Sequence, residues 1–80
     1  MTEAEMLRGS GKRLVAARKK RGLSQQTLAS KLLVDRTSIQ KWELGTRYPQ
    51  VFNVICLAKE LDVSVQWLLT GRKTKDECIA

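Results

Sequence analysis

Apolar residues along this chain recur mostly at three- and four-residue spacings, the period of an α-helix with one buried face. Glycine, proline and cap residues divide that pattern into five predicted helices. The first covers residues 12–21, capped by Ser10 or Gly11, with Leu14, Ala17 and Arg18 on one stripe and Gly22 as its stop. Residues 1–9 are polar and run into Gly9-Ser10-Gly11, which predicts a flexible amino-terminal arm or a frayed extra turn. The second helix, residues 25–32, is capped by Ser24 and carries Leu28, Ala29 and Leu32 on one side. Asp35 caps a third over residues 36–44, ended by Gly45, and Pro49 bars regular helix through Thr46 to Tyr48. A fourth, residues 50–61, places Val51, Val54, Ile55, Ala58 and Leu61 at inward spacing. A short fifth, residues 65–69, is capped by Ser64 and closed by Gly71. This defines a domain over residues 10–71 and a charged, disordered tail over 72–80. No strand pattern or internal repeat is visible.

Helices two and three are joined by a turn too tight for anything but a helix-turn-helix arrangement. At about 100° per residue, the third helix divides cleanly. Ser38, Ile39, Trp42 and Glu43 share one half, and Arg36, Thr37, Gln40, Lys41 and Leu44 share the other. The second set is a row of long polar donors without an acid. It suits the floor of a DNA major groove, where bases present acceptors and amides, with the second helix of the pair as reader.

Charge sharpens the picture by its distribution. Residues 8–47 hold eleven Lys or Arg against Asp35 and Glu43, a balance of +9; the remainder carries −2, which together give the overall +7. A basic half beside a near-neutral half is the footprint of phosphate binding on one side and self-association or solvent on the other. Eighty residues allow one domain with a small core. There is no histidine, and the few carboxylates are scattered or placed as caps, so no catalytic or metal-binding constellation can be assembled. Cys56 flanks the apolar stripe of helix four as filler, and Cys78 reads as an unpaired thiol in the tail. With no signal peptide and no long apolar run, the expectation is a reduced, cytoplasmic protein. Trp42 and Trp67 occupy core spacing, which favours packing or subunit contact over base stacking.

From about Gly11 to Gly71 the chain resembles the Cro/repressor-type helix-turn-helix family, also called the xenobiotic-response-element family, and especially the amino-terminal domains of lambdoid phage repressors. The resemblance rests on Arg18, Gly22-Leu23-Ser24-Gln25, Leu28-Ala29, Ile39, Trp42-Glu43, Gly45, Pro49, Leu57-Ala58, Leu61, Val63-Ser64 and Trp67-Leu68-Leu69. It implies an all-α fold, a compact five-helix lambda-repressor-like domain, and a sequence-specific regulator of transcription on double-stranded DNA. The leading form is a repressor bound as a homodimer to a pseudo-palindromic operator. An antitoxin that also autoregulates, and a restriction-modification controller, are the alternatives. Two positions depart from the family pattern. Leu33 stands where the tight turn usually holds glycine, which costs on the order of 1 kcal/mol if its φ is positive. Leu44 stands where relatives often carry a polar residue, and either reaches a thymine methyl or packs against Tyr48.

Roles follow from these positions. Arg36, Thr37, Gln40 and Lys41 are expected to read bases. Gln25 and Gln26, at the start of helix two, are expected to hold phosphate beside the positive end of the helix dipole. Lys12, Arg13, Lys19, Thr46 and Arg47 flank the groove as further phosphate contacts, whereas Lys20 and Arg21 only offset the dipole of helix one. The resemblance implies an ion pair between Arg18 and Glu43. Trp67 and Leu68 are expected at the dimer contact. No cofactor, membrane or small-molecule effector is expected.

Overall fold

The computed structural model describes residues 2–72, and its five helices are α1 (Glu3–Lys20), α2 (Gln25–Leu32), α3 (Arg36–Leu44), α4 (Val51–Leu61) and α5 (Val65–Thr70). Residues 73–80, including Cys78 and almost all of the expected tail, lie outside the described residues.

From Glu3 onward the expected arm is regular helix. α1 starts at Glu3 because Thr2 caps it: the Thr2 hydroxyl accepts from the Glu5 amide at 3.2 Å and donates to the Glu5 carboxylate at 3.1 Å. Thr2 and Glu5 have the spacing of a capping box. Gly9 and Gly11 do not break the helix, although interior glycines cost up to about 1 kcal/mol each relative to alanine. Gly11 lies where the backbone of α1 crosses the end of α3: a Cβ there would sit 2.5 Å from the Glu43 carbonyl oxygen and 2.8 Å from that of Trp42. The residue marks a close approach of two helices.

Four helix ends share one hydrogen-bond pattern, in which two successive amides bond back to orphan carbonyls of the last turn. At the end of α2, Leu33 donates to the Ser30 carbonyl and Val34 to that of Ala29; Gly22, Gly45 and Asp62 close α1, α3 and α4 in the same way. The closing residue must adopt positive φ. Leu33 does so at φ 58°, with its side chain 92% exposed. That side chain therefore contributes strain and little packing. Leu33→Gly is expected to raise stability by about 1 kcal/mol at most, the cost of a Cβ in this conformation. Urea unfolding checks the sign, and a loss of stability would show that Leu33 is held by contacts rather than by the turn.

At the helix starts, Ser24 and Ser64 accept from the amides of Thr27 and Trp67 at 3.0 and 2.9 Å. Asp35 occupies the cap position of α3 without a side-chain cap bond; its backbone carbonyl serves the Ser38 amide.

Leu28, Ile39, Leu57 and Leu68 are fully buried at the centre of the fold. α1 packs on α3 and α5, α2 on α3 and α4, and α4 on α5. In α4 the buried stripe is Val54, Leu57, Ala58 and Leu61, whereas Val51 and Ile55 are exposed. Their expected inward position fails because Leu57 heads closer to the centre of that stripe than either. Cys56 packs partly buried against the core. No helix among the described residues is long and apolar enough to cross a membrane.

Candidate nucleic-acid interface

The interface is built on α3. Ile39 and Trp42 anchor it in the core, which leaves Arg36, Thr37, Gln40, Lys41 and Leu44 exposed on the opposite side. An acid on this face would repel phosphate, and α3 contains one acid, Glu43. It is turned inward. Glu43 Oε2 accepts from Arg18 Nε of α1 at 2.6 Å and Glu43 Oε1 from the second Arg18 amino nitrogen at 3.3 Å. The Gln25 amide, at the start of α2, donates to Oε1 at 2.8 Å. Arg18 also donates to the Leu23 carbonyl at 2.9 Å. The two ionised side chains are only 12% and 6% exposed, so each depends on the other and on these hydrogen bonds for solvation. One carboxylate thereby joins three helices and sets how α3 stands on the domain.

Gln25 is tied into this network. Part of its amide is committed to Glu43, and its oxygen takes a long 3.5 Å contact from Arg36 Nε. Among the described residues the backbone amides of Gln25 and Gln26 make no backbone bond back into the fold, as expected at a helix start. The Gln26 side chain lies 3.5 Å from the Ser30 hydroxyl. Lys12 and Lys19 are exposed on α1. Beyond α3, the Thr46 hydroxyl donates to the Lys41 carbonyl at 3.2 Å, and exposed Arg47 borders a polar cleft with Tyr48 and Asn53.

Two of the expected site residues are engaged within the fold. The Arg13 guanidinium is drawn to the end of α5: its Nε donates to the Leu68 carbonyl at 2.9 Å and a terminal nitrogen to that of Leu69 at 2.8 Å. The last carbonyls of α5 lack helical partners, and a guanidinium fork satisfies two of them at once. Leu68, expected at a dimer contact, is 2% exposed and buried by its own chain, with Trp67 packed partly buried beside it. The most exposed apolar residues of this half lie on α4, where Val51 is 77% and Phe52 71% exposed. Phe52 was visible in the sequence as an apolar residue off the core stripe. The bond from Gln25 to Glu43 had no sequence signal. No group of three or more metal-ligating side chains occurs among the described residues.

Over residues 11–73 the chain matches the family described as helix-turn-helix domain. It is 40% identical over 53 residues to the HTH-type transcriptional activator BcrR of Enterococcus faecalis, covering 66% of this chain and 26% of BcrR. The chain spans between about a quarter and about half of the length of the curated relatives it matches. Among solved structures, it is similar to the restriction-modification controller protein C.AhdI from Aeromonas hydrophila, with TM-score 0.72 and 35% identity over 81% of this chain and 97% of that one. It is also similar to the P22 c2 repressor solved with a synthetic operator, with TM-score 0.76 and 33% identity over 79% and 96% of the two chains.

Proposed function

For a chain that belongs to the Cro/repressor-type helix-turn-helix family and is a DNA-binding regulator of transcription, we propose repression: it binds a pseudo-palindromic operator as a homodimer and blocks the promoter by occupancy. The observation that carries this reading is the acid-free face of α3, held outward by the inward lock on Glu43. Arg36 forks onto guanine O6 and N7, Thr37 and Gln40 meet adenine or thymine edges, and Lys41 reaches guanine one turn later. Lys12, Lys19, Thr46, Arg47 and the first amides of α2 hold phosphates on either side.

Selection from random duplexes followed by binding of single variants tests the assignment. Arg36→Ala and Lys41→Ala are expected to lose about 1 to 3 kcal/mol on the selected site and to relax one base pair each, whereas Lys12→Ala weakens all sequences alike and flattens the salt dependence. Equal losses on selected and random DNA for all three would reduce the protein to a nonspecific polycation.

The second copy docks on α4. Residues 48–58 contain no charged side chain in a chain of net charge +7, so this is where two identical cations approach without opposing like charges. Exposed Val51, Phe52 and Ile55 supply the apolar surface. Because the contact is two-fold, one substitution removes two Phe52 side chains from it, and Phe52→Ala is expected to weaken dimerisation at least roughly tenfold from lost burial. Sedimentation free and with operator measures this. A one-to-one complex on a full operator would end the dimer model.

The likeness to C.AhdI favours one further reading, a restriction-modification controller. A reporter driven by the selected operator tests the first reading by its direction: repression supports it, and activation overturns it.

A further inference from the structure

We infer that Leu44 reads the C5-methyl group of a pyrimidine in the major groove, on the premise that α3 is the base-reading helix. At about 100° per residue, Arg36, Gln40, Thr37 and Lys41 span an arc of roughly 140° on α3, and Leu44 falls near the middle of it. That direction is opposite to buried Ile39 and Trp42. Leu44 is 72% exposed, so packing against Tyr48 does not bury it. Gly45 then turns the chain away at φ 76°, and no later residue of α3 covers it.

An isobutyl group in the centre of a polar row neither donates nor accepts a hydrogen bond. The major-groove edges of the bases offer acceptors, donors and one apolar group, the methyl on C5 of thymine; 5-methylcytosine presents the same group at the same place. Contact between Leu44 and that methyl removes apolar surface from water on both sides, and a pyrimidine without it gives no such gain. Leu44 lies eight residues beyond Arg36, about 12 Å along the axis, so the methyl belongs within about four base pairs of the guanine read by Arg36.

The test uses the full chain and the operator recovered by selection. Each thymine is replaced in turn by deoxyuridine and each cytosine by 5-methylcytosine, and dissociation constants are measured by fluorescence anisotropy for wild type and Leu44→Ala. One deoxyuridine position is expected to weaken wild type about fourfold per half-site, the effect of one buried methyl, and to leave Leu44→Ala unchanged. That result assigns thymine as the source. Sensitivity of wild type alone to one added cytosine methyl assigns 5-methylcytosine. A selected operator whose binding ignores every methyl, or a Leu44→Ala variant that retains the sensitivity, overturns the role of Leu44 and leaves base reading by α3 intact. Failure to select any motif overturns the base-reading premise, and this inference with it. Leu44→Ala removes an exposed side chain, so unchanged thermal unfolding serves as its folding control.

Discussion

Glu43→Ala is expected to destabilise the domain by about 3 kcal/mol, because it strands a charge that the fold has nearly removed from water. Arg18 would keep one bond to the Leu23 carbonyl and lose both to the carboxylate, while the Gln25 amide would lose its acceptor. For a domain of this size the loss corresponds to a fall of roughly 12 °C or more in Tm. A double-mutant cycle with Arg18→Ala separates the pair from the rest of the effect. Coupling of at least about 0.5 kcal/mol is expected for groups in direct contact, and strictly additive losses would show that the two side chains are independent. The apolar double replacement Arg18→Met with Glu43→Leu is expected to recover most of the stability, since it leaves no uncompensated charge. It is also expected to lose sequence discrimination, because the anchor of Gln25, and through it the contact to Arg36, disappears.

Gly11→Ala is expected to cost about 2 to 3 kcal/mol, against the usual direction of glycine-to-alanine changes inside a helix. The added carbon would meet the Glu43 and Trp42 carbonyl oxygens at 2.5 and 2.8 Å. Both are backbone atoms, which no rotamer change can move aside. Van der Waals contact needs about 3.5 Å, so α1 must lift from α3 by on the order of 1 Å. That displacement also stretches the Arg18 contact to Glu43, and weaker operator binding should accompany the stability loss. Gly9→Ala is the matched control. Its methyl would meet the end of the Arg13 side chain first, at 3.2 Å, a contact relieved by a shift of a side chain rather than of a backbone, and stability is expected within about 1 kcal/mol of wild type. Equal effects at the two glycines in chemical denaturation would remove the close approach as the explanation.

The legible and illegible parts of this fold differ in the kind of interaction that decides them. α2 and α3 have the bounds that their caps and closing residues announce, and α4 and α5 differ from expectation by a single residue at one end. Those signals are local, and a chain that spells them out needs no tertiary information to be read. The start of α1 was local too, in Thr2 and Glu5, but it was masked by Gly9 and Gly11, and the meaning of Gly11 lies in a helix 32 residues further on, at Glu43. Arg13 and Lys12 look equivalent as neighbouring cations; only the position of α5 separates them. Leu68 poses the same problem, since a short apolar helix can close its own core or meet a partner, and nothing in its spacing distinguishes the two. The exposed row on α3 was legible because it follows from helical heading alone. The lock that holds it was legible as a pair of residues through the family resemblance, but its third member, Gln25, became visible only in three dimensions.

Arg13 has a consequence for how the molecule is made. Its partners, the carbonyls of Leu68 and Leu69, lie 55 and 56 residues away, and α1 packs against α5 as well as α3. During synthesis the chain emerges from its amino-terminal end. A nascent chain that has released α1 through α4 already carries every residue of the reading face, yet the first helix still lacks one of its two supports. Closing so long a loop is slow relative to local helix formation. The helix that carries the reading surface's partner Arg18 therefore gains its second support only once α5 has formed and docked.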